Sequence, residues 1–165
     1  MGRMQRFVLC GFALGLVGCA LQTDIRLRKM PDSGMEPTIR AQEVVRENFD
    51  ALEKRPPGRF DLVVVKDPDK PDETTIRRVI ALPGELVQVS AYRASVGGRS
   101  LDEPFISTQP ATEDGAPRPK AEFGPLTVPA DEYFVLGDNR AAASDNRRWK
   151  RSSVPVKDIL AVVER

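Results

Sequence analysis

Apolar positions in this chain come in short bursts separated by proline, glycine and charge. FDLVVVKDP, residues 60–68, has an unbroken apolar centre stopped by Pro68, which predicts a strand. The polar DPDKPDE of 67–73 predicts a turn or hairpin tip. TIRRVIALPGELVQV, 75–89, predicts a strand, a Pro-Gly turn and a second strand, and VGGRSLDEPFI, 96–106, a Gly-Gly turn and a short strand. FGPLTVPADEYFVLGDNR, 123–140, predicts two strands about a proline-centred turn, then a polar loop. SVPVKDILAVVER, 153–165, predicts a strand, or a short helical turn leading into one. Residues 23–30 predict a polar tether running into a strand or loop. Residues 41–60 predict a turn-rich connector around Pro56-Pro57-Gly58, and 108–122, poor in apolar residues, an exposed loop. No long amphipathic helix and no internal repeat is visible. The expected domain, residues 23–165, is mainly β and antiparallel, with long loops.

The first 22 residues break this rhythm. Arg3 and Arg6 precede about fifteen mostly apolar residues, short of the ~20 that span a bilayer comfortably. That pattern predicts an export signal. Leu16-Val17-Gly18-Cys19 resembles the lipobox of bacterial lipoproteins, in which Cys19 would be lipidated. An uncleaved, slightly short membrane anchor is the alternative. Both readings tether the domain to a membrane in the cell envelope, outside the cytoplasm (the periplasmic side). Cys10 and Cys19 both fall in this segment, so no disulfide forms within the domain.

Composition narrows the chemistry. In 165 residues, 25 basic side chains balance 24 acidic ones, which argues against a nucleic-acid partner and is consistent with one domain and a modest core. There is no histidine, which removes Ser-His and Cys-His catalysis and most common zinc sites. No metal or other cofactor is expected. A metal-free hydrolase built from these residues needs a carboxylate or lysine base.

Five segments resemble, in order, the sequence boxes of the type I signal peptidase (leader peptidase) family: SGMEPT (33–38), FDLVVVKDP (60–68), IRRVIALPGE (76–85), FGPLTVPADEYFVLGDNR (123–140) and SDNRRWK (144–150). The resemblance covers nearly everything after residue 30. It implies a mostly antiparallel β fold on the outer face of a membrane. Active members are serine endopeptidases with a lysine general base, and they remove signal peptides from exported preproteins after small residues. A serine hydroxyl needs such a base. Lysine serves only when burial keeps its amine neutral, and the tetrahedral oxyanion needs donors. Met35, Pro37, Thr38, Arg78, Gly137, Asp138, Asn139, Arg140, Asp145 and Arg147 keep the family pattern as structural parts of the site, with Asp145 and Arg147 as a supporting pair.

Three positions depart from it. The residue before Met35, where the family has its nucleophile, is Gly34; Ser33 lies one step early. In an extended strand that step turns the side chain to the opposite face. Where the resemblance places the lysine base stands Arg77, and a guanidinium does not give up its proton near neutrality, so arginine cannot take that role. A buried Arg77 would need a carboxylate partner or solvent. Lys66 matches a non-catalytic position. Where a helper serine orients the lysine stands Ala143, with Ser144 one residue later.

The scaffold therefore matches while the chemistry does not. One expectation is a pseudoenzyme that binds extended peptides or preprotein signal peptides by strand addition, as an accessory to protein export with an active signal peptidase as a candidate partner. The other is an active, divergent peptidase using Ser33 as a displaced nucleophile. Arg147, Arg148, Lys150 and Arg151 around Trp149 form a solvated basic cluster or a contact with anionic lipid.

Overall fold

The computed structural model describes residues 24–107 and 121–164. The signal or anchor segment with Cys19, and most of the expected 108–122 loop, lie outside the described residues. The chain forms β1 (Ile25–Lys29), β2 (Val44–Asn48), a helical turn α1 (Ala51–Lys54), β3 (Leu62–Asp67), β4 (Lys70–Ala81), β5 (Leu86–Ser90), β6 (Arg93–Val96), β7 (Arg99–Ser100), β8 (Phe123–Thr127), β9 (Glu132–Leu136), β10 (Val154–Pro155), a single 3₁₀ turn (Val156–Asp158) and β11 (Ile159–Glu164). Every strand pairing is antiparallel. A seven-stranded sheet runs β1-β2-β11-β3-β4-β9-β10, and a four-stranded sheet runs β7-β6-β5-β8. The antiparallel, mainly β expectation holds.

The unbroken apolar run of β3 reflects cover on both faces. Val63 and Val65 pack with Val79, Tyr133, Val135 and Trp149, whereas Leu62 and Val64 face Met30, Met35 and Ile39. Each such fully buried aliphatic side chain contributes about 1.5–3 kcal/mol relative to exposure. β5 and β11, each with one face inward, show strict alternation instead. The far end of β4 carries Ile80 and Ala81 into a third apolar cluster with Val87, Val89 and Phe134, joining the two sheets.

The hairpin tip between β3 and β4 falls at Pro68-Asp69, within the predicted turn, and the final strand is preceded by one helical turn, as expected. The 41–60 connector is corrected: it holds β2 and α1. β2 pairs with β1 on one side and β11 on the other, and its buried Glu47 meets Arg28 at 3.0 Å. A charged residue at an inward position is what hid this strand in the sequence.

Candidate functional site

The stretch after β1 is a run of turns. Met30 binds across to Glu43 through its N–H (2.8 Å), the Glu36 N–H reaches the Ser33 carbonyl (3.1 Å), and the Ile39 N–H reaches the Met35 carbonyl (2.9 Å). Met35 and Ile39 are fully buried in the apolar cluster beneath β3 and anchor the loop. The expectation of an extended strand here is corrected, and strand alternation cannot decide which way Ser33 faces.

Direct geometry decides what Gly34 faces. A Cβ built on Gly34 would lie 3.3 Å from both Nη1 and Nη2 of Arg77. Arg77 sits in β4, is 2% exposed, and donates from Nε to the Ser144 carbonyl (2.8 Å) and from Nη1 to its neighbour's carbonyl at Ile76 (2.5 Å). Its carboxylate contact is Asp32, at 3.6 Å from Nη2. The other oxygen of Asp32 accepts the Gly34 N–H at 2.7 Å. Asp32 is the residue that sequence reasoning missed, although Asp two residues ahead of Gly is the signature of a side chain that caps a turn N–H.

Ala143 joins the same corner through Gly137. A Cβ on Gly137 would lie 2.2 Å from the Ala143 Cβ and 2.5 Å from the Gly34 carbonyl oxygen, so glycine at 137 leaves the room in which the Ala143 methyl and the Gly34 backbone meet it. Asn139 fastens the two loops: its N–H donates to the Gly34 carbonyl (3.1 Å) and its Nδ2 to the Ser33 carbonyl (3.2 Å). Ser33 thus takes part through its backbone. Ser144 is exposed, and its hydroxyl accepts from Trp149 Nε1 at 3.1 Å.

The residues expected to shape the site form three buried ion pairs around this corner. Arg78 holds Asp138 with two hydrogen bonds (2.8 and 2.5 Å), and the Thr38 hydroxyl bonds the same carboxylate. Arg140 pairs with Glu103 at 2.5 Å, both fully buried, and also donates to the Gly137 carbonyl. Arg147 pairs with Asp145 at 2.8 Å, and Asp145 accepts the Gly137 N–H at 3.1 Å. Pro37, next to Thr38, is exposed at the outer side of the turn. Glu103 carried no signal in the sequence, since its partner is Arg140.

Every described lysine (Lys29, Lys54, Lys66, Lys70, Lys150 and Lys157) is exposed, and Lys66 lies 3.7 Å from Asp158. Of the basic cluster around Trp149, Arg148, Lys150 and Arg151 are exposed, Arg151 pairing with Glu132 at 2.5 Å, whereas Arg147 is buried on Asp145 and Trp149 is core. Among the described residues no helix is long and apolar enough to cross a membrane, and no cluster could hold a metal ion.

Across residues 3–165 the chain matches the family of signal peptidases, peptidase S26. It belongs to the signal peptidase family. A probable signal peptidase I-2 of Synechocystis is 35% identical over 127 residues, 74% of this chain and 54% of that protein. Signal peptidase I V of Bacillus subtilis is 28% identical over 163 residues, 92% of this chain and 94% of that protein. A crystal structure of a signal peptidase I from Enterococcus faecalis superposes with a TM-score of 0.54 and 28% identity, covering 67% of this chain and 98% of that one. The chain spans 54% and 64% of the lengths of two of the signal peptidases it matches. Within the signal peptidase framework, then, Gly34, Arg77 and Ala143 lie together.

Proposed function

We propose that this signal peptidase family member is a pseudoenzyme that binds extended peptides without cleaving them. The observation that carries this is Gly34 against Arg77: a hydrogen atom where the family pattern has a nucleophile, facing a guanidinium where it has a base. Arginine keeps its proton at every pH compatible with folding. Every described lysine is exposed, so none sits in the apolar, buried setting that a lysine base requires. An empty nucleophile position can leave binding and oxyanion effects of about 10³–10⁴ over water, too little for a useful peptidase.

The peptide-binding half of the reading rests on β4. β9 pairs with it from Arg78 onward, while ahead of Arg78 its pairing is with β3 alone. On this stretch the Thr74 and Ile76 carbonyls accept from the side chains of Arg28 (2.8 Å) and Arg77 (2.5 Å) rather than from a neighbouring strand, which is the pattern of an edge that a peptide strand extends. We place the protein at a membrane of the cell envelope, held by residues 1–22, in preprotein handling alongside an active relative.

The test is incubation of the full chain, purified in detergent, with a preprotein. No cleavage is expected. Cleavage after a small residue, abolished by Ser33→Ala, would establish the divergent peptidase in place of this reading.

A further inference from the structure

Four arginines among the described residues are buried. Arg78, Arg140 and Arg147 each hold a fully buried carboxylate, at 2.5, 2.5 and 2.8 Å. Arg77 is different. It is 2% exposed, spends two donors on neutral carbonyls, and meets its one carboxylate at 3.6 Å, beyond hydrogen-bond reach. That carboxylate belongs to Asp32, whose side chain is 46% exposed. A buried cation with so loose a counter-ion is under-compensated.

Asp32 also shows what fits. One of its oxygens accepts the Gly34 N–H at 2.7 Å while the other turns toward Arg77 Nη2. A backbone N–H bonded to one oxygen of a carboxylate, with a planar guanidinium facing the other, outlines a carboxylate receptor. The atoms nearest the empty Cβ position of Gly34 are one oxygen of Asp32, at 2.8 Å, and the two terminal nitrogens of Arg77, at 3.3 Å.

We infer that the corner formed by Gly34 N–H and Arg77 binds the free C-terminal carboxylate of an extended peptide, with Asp32 as the resident occupant it displaces. This rests on the peptide-binding reading above and adds the end group to it. The peptide's last residues would lie along the β4 edge ahead of Arg78. The reaction class that supplies such an end is endoproteolysis: hydrolysis of a peptide bond adds water and leaves a carboxylate on the upstream fragment. The protein would then take up a cleavage product, where its relatives' pattern takes up a substrate.

Fluorescence anisotropy of the full chain with a labelled peptide ending Ala-Leu-Ala tests this, comparing the free acid with the C-terminal amide. The acid should bind at least about tenfold more tightly, the scale of a charge-assisted hydrogen-bonded pair. Asp32→Ala, an exposed change, should tighten the acid several-fold and leave the amide unmoved. Arg77→Gln should erase the difference between them, and thermal melting would check its folding. Equal binding of acid and amide would overturn the carboxylate receptor while leaving a peptide groove in place. Binding of neither would overturn both.

Discussion

Gly34 turns its bare Cα toward the Arg77 guanidinium, so that a methyl group added there would rest 3.3 Å from both terminal nitrogens. The same methyl would come within 2.8 Å of Asp32 Oδ1. A side chain at position 34 must therefore share its space with a fixed cation and displace a carboxylate. The second is easy, because the obstructing atom is the far end of an exposed side chain.

Restoring a hydroxyl alone should accordingly restore nothing. Gly34→Ser supplies a nucleophile with no base, and Arg77→Lys a base with nothing to activate. Ala143→Ser supplies only a helper. Combined, the three should raise preprotein cleavage by on the order of 10²-fold over any single change, the lower end of what a positioned general base contributes. Gel-based cleavage of a preprotein reads this out. Recovery in Gly34→Ser by itself would mean that another group acts as base.

The buried pairs should divide sharply by stability. Asp138→Ala strands Arg78 inside the protein and should cost about 3–5 kcal/mol, while Thr38→Val, which removes one hydroxyl from that carboxylate, should cost about 1 kcal/mol. Asp32→Ala should cost under about 1 kcal/mol, since Arg77 is held by two carbonyls and barely by Asp32. Urea unfolding followed by Trp149, the sole tryptophan and a core residue, measures all three. A large loss in Asp32→Ala would show that Arg77 depends on that contact.

How far these arrangements could be read from the sequence depended on where the partner lies. β3 announced itself because a strand covered on both faces is apolar at every position. β2 did not, since Glu47 points inward only because Arg28 is there to receive it. Gly34, Arg77 and Ala143 were legible as departures from an ordered set of boxes, though the strand alternation applied to Ser33 failed because the segment is turn. Glu103 was invisible, because its burial depends on Arg140, far along the chain. Asp32 left a local clue in its spacing to Gly34, but its approach to Arg77 comes from tertiary packing.

Acid should erode stability in a defined window. Burial works against the charge on Glu132, but the hydrogen bonds from Ser153 and Arg151 outweigh it and hold its carboxyl below the ordinary 4.5. Burial likewise opposes the charge on Asp61, and hydrogen bonds from Arg55 and the Gly58 N–H bring it below 3.8. Both carboxylates favour the folded state when ionised. Their contribution is complete above those ordinary values and drains as pH falls through the lower folded ones. With no histidine to titrate, the urea midpoint should be flat from about pH 7 to about pH 5 and fall below that. Glu132→Gln should lower the neutral midpoint and shallow the acid limb. An unchanged limb would remove Glu132 from the account.

The anchor has its own test. Cys19→Ala should abolish incorporation of labelled lipid in cells. Persistent labelling would place the lipid elsewhere, and absence of labelling in the unaltered chain would favour the uncleaved anchor.

If the protein is the pseudoenzyme proposed above, the missing side chain at Gly34 also fixes what happens to an occupant of its groove. A peptidase clears its site by transforming what it holds; on the pseudoenzyme reading, a site with only a hydrogen atom at the point of attack has no such exit. On that reading, whatever docks there departs intact, at a rate set by its own dissociation. Occupancy then tracks the concentration of ligand around it, and serine-directed electrophiles have no atom at this position to capture.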